Sequence, residues 1–75
     1  MVNNHIRKMI FPGTYEQLRD SIRRSGIDGE WKDLGNQKQF RTTTGSVLNF
    51  WVSTRTVYFQ GRQPEQVRTA YLESV

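Results

Sequence analysis

The sequence predicts an α+β domain in which two helices pack on one face of an antiparallel sheet of three or four strands, in the order α-β-β-β-α. Three observations predict this class. A helical hydrophobic period covers roughly residues 14–25, a period of two rich in β-branched and aromatic residues covers roughly 37–61, and a second helical start follows at Pro64. The chain has 75 residues, which leaves room for one domain. We place that domain at residues 9–75, after a disordered N-terminus at residues 1–8.

The first helix has a well-defined beginning and end. It follows an apolar run at residues 9–11, which forms either a brief strand or an anchor, and a turn at residues 12–13. Thr14 and Gln17 then have the spacing of a capping box, and Gly26 suits the left-handed position that ends a helix. The apolar stripe between them consists of Tyr15, Leu18 and Ile22. We therefore predict a helix over about residues 14–25.

The middle of the chain has the composition of a sheet. Residues 27–36 predict a loop with a short strand near residues 30–33. Three strands follow at roughly 37–43, 46–53 and 56–61, with turn residues between them.

Turn chemistry and the hydrophobic pattern predict the register of the two hairpins. A two-residue loop at residues 54–55 sets Trp51 opposite Tyr58 and makes one face wholly apolar. That apolar face consists of Leu48, Phe50, Val52, Val57 and Phe59. In the preceding hairpin, a three-residue loop with Gly45 in a left-handed conformation is favoured, because a two-residue loop would bury Arg41 without a partner.

The second helix begins at Pro64, a residue suited to the first helical position, and Glu65 follows at the positive end of the helix dipole. Its predicted buried stripe consists of Val67, Ala70 and Tyr71. Leu72 lies off this stripe, so this helix has the weaker amphipathic pattern of the two.

The charge of the chain is concentrated in its middle. The formal net charge is +4, and residues 34–64 contain basic residues and no acid. The basic residues there are Lys38, Arg41, Arg55 and Arg62. The chain contains no cysteine and no apolar run long enough for a signal peptide or a membrane span. We therefore expect a cytoplasmic protein that does not engage a membrane.

The sheet face opposite the helices carries the candidate binding site. Its predicted residues are Gln39, Arg41, Val47, Asn49, Trp51, Thr56, Tyr58 and Gln60. Basic residues interleaved with aromatics suit a polyanion with stacked bases, so we expect a module that binds nucleic acid, duplex or single-stranded. The residues expected to contact it are Lys38, Gln39, Arg41, Asn49, Trp51, Arg55, Tyr58, Gln60 and Arg62.

Two alternatives use the same face. It could bind a protein, as an accessory or inhibitory module of a mobile element or as a homodimer. The N-terminal segment could instead fold over Trp51 with the apolar side chains of Ile6, Met9, Ile10 and Phe11.

The segment from Gly45 to Arg62, followed by the helix at Pro64, resembles the last strands and helix of a TATA-binding-protein-like half-repeat. It is most similar to the N-terminal domain of ribonuclease HIII, in which a strand ending in Gln-Gly, here Gln60-Gly61, precedes a helix. The resemblance covers about the last 30 residues and implies an open sheet face that contacts a nucleic-acid duplex. The layout of the double-stranded-RNA-binding domain is matched less well, because the second helix lacks a lysine cluster.

The sequence indicates no catalytic site. The single histidine, His5, lies in the N-terminus, and a small hydrolase that uses it is the remaining enzymatic alternative. Glu16 and Asp20 share a helix face with arginines, which is typical of solvated ion pairs. We expect a protein that is not an enzyme and that uses no cofactor or metal.

Overall fold

A computed structural model of the chain describes residues 8–74. The elements are β1 (Lys8–Ile10), α1 (Tyr15–Ser25), β2 (Gly29–Leu34), β3 (Gln37–Thr42), β4 (Ser46–Trp51), β5 (Thr56–Gly61) and α2 (Pro64–Ser74). The strands form one sheet in the order β1-β5-β4-β3-β2, and every neighbouring pair is antiparallel.

The α+β class and the position of both helices on one face are confirmed, but within residues 8–74 the sheet has five strands rather than three or four. The short strand expected near residues 30–33 is β2, which pairs along its length with β3. The run at residues 9–11 contributes to β1, which pairs with β5. Strand β1 includes Lys8, the last residue of the segment that the sequence analysis expected to be disordered. Residues 1–7 lie outside the described residues.

Helix α1 begins and ends as its sequence predicts. The Thr14 hydroxyl oxygen accepts a hydrogen bond from the Gln17 amide at 3.1 Å, and the Gln17 side-chain oxygen accepts one from the Thr14 amide at 2.8 Å. Gly26 ends the helix with a φ of 83°, the left-handed conformation that glycine adopts at no steric cost.

Helix α2 is fixed to the sheet by a buried serine. The Val67 amide, in the first turn of the helix, donates to the Ser46 hydroxyl oxygen at 3.3 Å. The same hydroxyl donates to the Gln63 carbonyl at 3.1 Å. Val67 and Tyr71 of the predicted stripe are buried, whereas Leu72 is exposed. Strand β4 therefore holds the start of the helix in place.

The core lies between the helices and the inner face of the sheet, the face towards which α1 and α2 pack. It consists of Phe11, Leu18, Ile22, Phe40, Leu48, Phe50, Val57, Phe59, Val67 and Tyr71. Phe11 meets Phe50 and Tyr71 edge-on, with ring centroids 6.0 and 6.1 Å apart. This aromatic packing connects the segment after β1 to the centre of the domain.

The hairpin between β3 and β4 is confirmed. Its loop spans three residues, 43–45, and Gly45 has a φ of 93°. Its amide donates to the Thr42 carbonyl at 3.1 Å. Phe40 consequently lies in the core and Arg41 on the opposite, exposed face.

The predicted register of the hairpin between β4 and β5 is wrong by two residues. Trp51 lies opposite Thr56 rather than Tyr58, and Val52 belongs to the loop instead of the apolar face. The longer loop is held by Asn36, whose carbonyl accepts from the Val52 amide at 2.8 Å and whose side-chain oxygen accepts from the amide of residue 53 at 2.9 Å. A shift of two residues preserves the alternation of side chains. Apart from Val52, the two faces therefore keep the residues that the sequence predicts.

Candidate nucleic-acid interface

The outer face is the side of the sheet opposite the helices, and within residues 8–74 no element covers it. The strand registers arrange its side chains in three rows across the sheet. The Trp51 row consists of Ile10, Thr56, Trp51, Gln37 and Leu34. The Tyr58 row consists of Lys8, Tyr58, Asn49, Gln39 and Lys32. The third row, the Arg41 row, contains Gln60, Val47, Arg41 and Glu30.

Trp51 and Tyr58 lie on neighbouring strands in adjacent rows. Since Trp51 is opposite Thr56, Tyr58 is its diagonal neighbour, and such residues are about 7–8 Å apart. Both side chains are partly exposed. They line a shallow depression of about 420 Å³ together with Lys8, Thr54, Thr56 and Gln60. The depression therefore combines two aromatic side chains with a cation.

A cluster of amide side chains forms the floor of the outer face. Asn49 is only 1% exposed, and its side-chain oxygen accepts hydrogen bonds from Gln37 at 2.9 Å and from Gln39 at 3.0 Å. Its side-chain nitrogen donates to the Tyr58 carbonyl at 3.4 Å. Asn49 was predicted to contact the ligand, but its burial and its internal hydrogen bonds give it the role of positioning its neighbours.

Among residues 8–74, three basic side chains are exposed on the outer face: Lys8, Lys32 and Arg41. Glu30, opposite Arg41, is the acid of this face among the described residues. Lys8 and Lys32 were missing from the predicted site, because their position depends on how the two edge strands pair. The alternation within residues 30–34 could have indicated Lys32 once β2 was treated as a strand.

Lys38, which the sequence analysis expects to contact the nucleic acid, lies on the inner face and not on the outer face that carries Trp51 and Tyr58. Its ammonium group is 2.7 Å from the Asp33 carboxylate and 5.2 Å from the centre of the Tyr15 ring, and its side chain is 14% exposed. Strand alternation explains this, since Gln37 and Gln39 on either side face outwards. The hydrogen bond from Lys38, followed by that from the Gly35 amide, lowers the pKa of Asp33.

The other two predicted cations lie at the ends of the sheet. Arg55 is in the loop between β4 and β5, where its carbonyl accepts from the Phe11 amide at 2.9 Å. It borders a depression shared with Tyr15 and Lys38, at the N-terminal end of α1. Arg62 follows β5 beside Gly45, whose carbonyl accepts from the Arg62 amide at 2.9 Å. Of the four predicted cations, only Arg41 therefore lies within the rows of the outer face.

The structure describes three of the four apolar residues that the sequence analysis considered as a cover for Trp51. Met9 packs against the core and Phe11 is buried within it, so neither of these two side chains covers Trp51. Ile10 lies on the outer face at the end of the Trp51 row and is 62% exposed. Ile6 and His5 lie outside the described residues.

Within residues 8–74, no group of three or more His, Cys, Asp or Glu side chains could hold a metal ion. In the same part of the chain, no helix has the length and apolarity needed to cross a membrane.

The fold and the outer face define a two-layer α+β domain with one sheet face packed against helices and the other carrying aromatic, amide and basic side chains. No protein-family model matches the chain, and no significant match is found among curated proteins or solved structures.

Proposed function

We propose that the protein binds single-stranded nucleic acid on its outer face. The observation that carries the proposal is the diagonal placement of Trp51 and Tyr58 with Lys8 directly beside Tyr58. Aromatic side chains stack on bases of any sequence, and basic side chains next to them contact the connecting phosphates. Such a surface binds a strand without base-specific contacts.

The aromatic pair favours a single strand over a duplex. The flat faces of bases are accessible for stacking when they are unpaired, whereas a duplex buries them in its own stack. The resemblance to the TATA-binding-protein-like half-repeat implies a duplex. However, the three cations that the described residues place on this face, partly offset by Glu30, are few for a surface that relies on phosphate contacts alone. Stacking on Trp51 and Tyr58 would supply the remaining affinity.

The three cations surround the aromatic pair. Lys8 lies at one end of the Tyr58 row, Lys32 lies at the other end, and Arg41 is in the next row. A single-stranded nucleic acid that crosses the sheet would meet Lys8 first and stack its bases on the two rings. It would then reach Lys32 or Arg41 beyond the amide cluster. Three phosphate contacts on a single strand correspond to a slope of about −2 for log affinity against log salt.

The proposal is tested by fluorescence anisotropy with labelled oligothymidylate and oligouridylate, and with a duplex of equal length, across a salt series. We expect single strands to bind more tightly than the duplex, with affinity falling as salt rises. Trp51→Ala removes a stacking contact worth about 1–3 kcal/mol per base, and Arg41→Ala weakens binding and flattens the salt slope. Arg55→Ala is the matched control, since Arg55 lies off the rows of this face. Absence of binding at low salt, or affinity that ignores salt, would contradict the proposal.

A protein partner is the second candidate, because the Trp51 row ends in two exposed apolar side chains. Ile10 is 62% exposed and Leu34 is 48% exposed, at opposite edges of the sheet. Together with Trp51 they form an interrupted apolar row of the kind that partners cover. For such a surface, Trp51→Ala and Ile10→Ser weaken partner binding strongly, whereas Arg41→Ala has little effect.

A further inference from the structure

Strand β2 forms one edge of the sheet. It spans six residues, Gly29–Leu34, and pairs only with β3 among the described residues. Every residue of the strand is exposed except Trp31, which is half-buried. An exposed strand of this length presents unpaired backbone donors and acceptors along its free side, and these can pair with another strand.

We propose that β2 pairs antiparallel with β2 of a second copy of this chain, centred on Trp31. A two-fold axis perpendicular to the sheet relates the copies, so like faces lie on the same side. In this register Glu30 of each copy lies opposite Lys32 of the other, which gives two pairs of opposite charge on the outer face. Gly29 lies opposite Asp33, which avoids a steric or electrostatic conflict there.

The same side chains disfavour the neighbouring registers. A register that keeps like faces on the same side is reached only by sliding one β2 strand past the other in steps of two residues. One step in one direction sets Glu30 opposite Glu30 of the second copy. One step in the other direction sets Lys32 opposite Lys32, and the next sets Asp33 opposite Asp33. Like charges placed directly opposite are destabilising, so the charge pattern selects the register centred on Trp31.

Charged residues on an edge strand usually prevent association with other strands. Here their order is complementary to itself, which distinguishes a second copy from an unrelated strand. The pairing also places the two Trp31 side chains opposite each other on the inner face. In each copy this ring already contacts Tyr15 and Phe40, with centroids 5.2 and 5.1 Å away. The dimer would therefore join two aromatic clusters across its axis.

This association goes beyond the proposed function and does not depend on it. If both hold, the outer faces of the two copies form one continuous surface. Lys32 and Arg41 of both copies then lie near its centre, so that a bound strand could cross from one protomer to the other.

Sedimentation velocity over a concentration series, without nucleic acid, tests the pairing by charge reversal. Glu30→Lys and Lys32→Glu each place like charges opposite each other twice, and we expect each to weaken dimerisation by about tenfold or more. An equimolar mixture of the two variants restores opposite charges in the mixed pair. The double variant E30K/K32E restores them within its own homodimer. Both should regain association close to that of the wild type.

Glu73→Lys is the matched control, because it makes the same charge change at an exposed position of α2, away from the β2 edge. Circular dichroism of each variant checks that the fold is retained. A wild type that remains monomeric at the highest concentration would overturn the proposal. A dimer that the single reversals leave intact, or that the mixture fails to restore, would overturn it equally. Because nucleic acid is absent, none of these outcomes bears on the function of the outer face.

Discussion

Lys8 lies directly opposite Tyr58 across the β1–β5 pair, with both side chains on the outer face. Residues placed opposite each other in this way have Cβ atoms about 4.5–5.5 Å apart, so the ammonium group can reach a phosphate next to a base stacked on the ring. Fifty positions separate the two residues in the sequence, and the antiparallel pairing of β1 brings them together. The edge strand thereby adds a cation to the aromatic pair.

Replacing Lys8 should weaken nucleic-acid binding without weakening the fold. Lys8→Gln removes one phosphate contact, so the slope of log affinity against log salt should become shallower by about 0.7. Lys38→Gln makes the same change on the inner face and should leave that slope unchanged. Anisotropy titrations at several salt concentrations measure both. If the two substitutions changed the slope equally, the placement of the binding site on the outer face would be contradicted.

Replacing Ser46 should destabilise the domain, because its hydroxyl connects β4 to the start of α2. Ser46→Ala leaves the Val67 amide without its acceptor, and we expect the free energy of unfolding to fall by about 1–3 kcal/mol. Thr43→Ala, which removes a hydroxyl from an exposed loop, should change it by less than about 0.5 kcal/mol. Urea denaturation of the three proteins provides the comparison, and equal midpoints would refute the role of Ser46.

The amide cluster should contribute to the stability of the domain. Asn49→Ala removes the acceptor shared by Gln37 and Gln39, and we expect a loss of about 2 kcal/mol in the free energy of unfolding. Gln60→Ala replaces an exposed amide on the same face and should leave stability nearly unchanged. Thermal and urea unfolding distinguish a buried network from a row of independent surface amides.

Tyr71 should make the fold sensitive to alkali. Burial raises the pKa of its phenol above the ordinary value of 10.0, because the ionised form is poorly solvated in the core. The stabilising contribution is complete below the unfolded pKa and is lost as the pH rises through the folded pKa. Stability should therefore decline above about pH 10, the ordinary pKa of tyrosine, and this decline should be smaller in Tyr71→Phe. Denaturation midpoints measured from pH 8 upwards, at about one-unit intervals, test this. A decline that is the same in both proteins would exclude Tyr71 as its source.

Local chemistry explains which parts of the fold could be predicted. The capping box of Thr14 and Gln17, the left-handed Gly26 and Gly45, and the alternation of the strands each depend on neighbouring residues. The register of the β4–β5 hairpin instead depends on Asn36, which lies in another turn and binds the loop from there. No pattern within residues 46–61 contains that information.

For the candidate site, the sequence predicts the placement of the side chains only at the centre of the outer face. Trp51, Tyr58 and Arg41 were placed on the outer face by alternation alone, and the two-residue register error left them there. Lys8 and Lys32 were missed because they lie on edge strands whose partners the sequence does not name. The charge of Lys38 predicts a contact with the nucleic acid, although its position between Gln37 and Gln39 places it on the inner face.

The central claim is that Trp51 is a stacking surface for unpaired bases. The most direct test uses Trp31→Phe, which leaves Trp51 as the only tryptophan, and follows its fluorescence during titration with oligothymidylate of about 12 nucleotides, within the usual range of site sizes. We expect saturable quenching that is reversed by added salt. Trp51 emission that stays unchanged while the oligonucleotide binds, or a complete lack of binding at low salt, would contradict the claim.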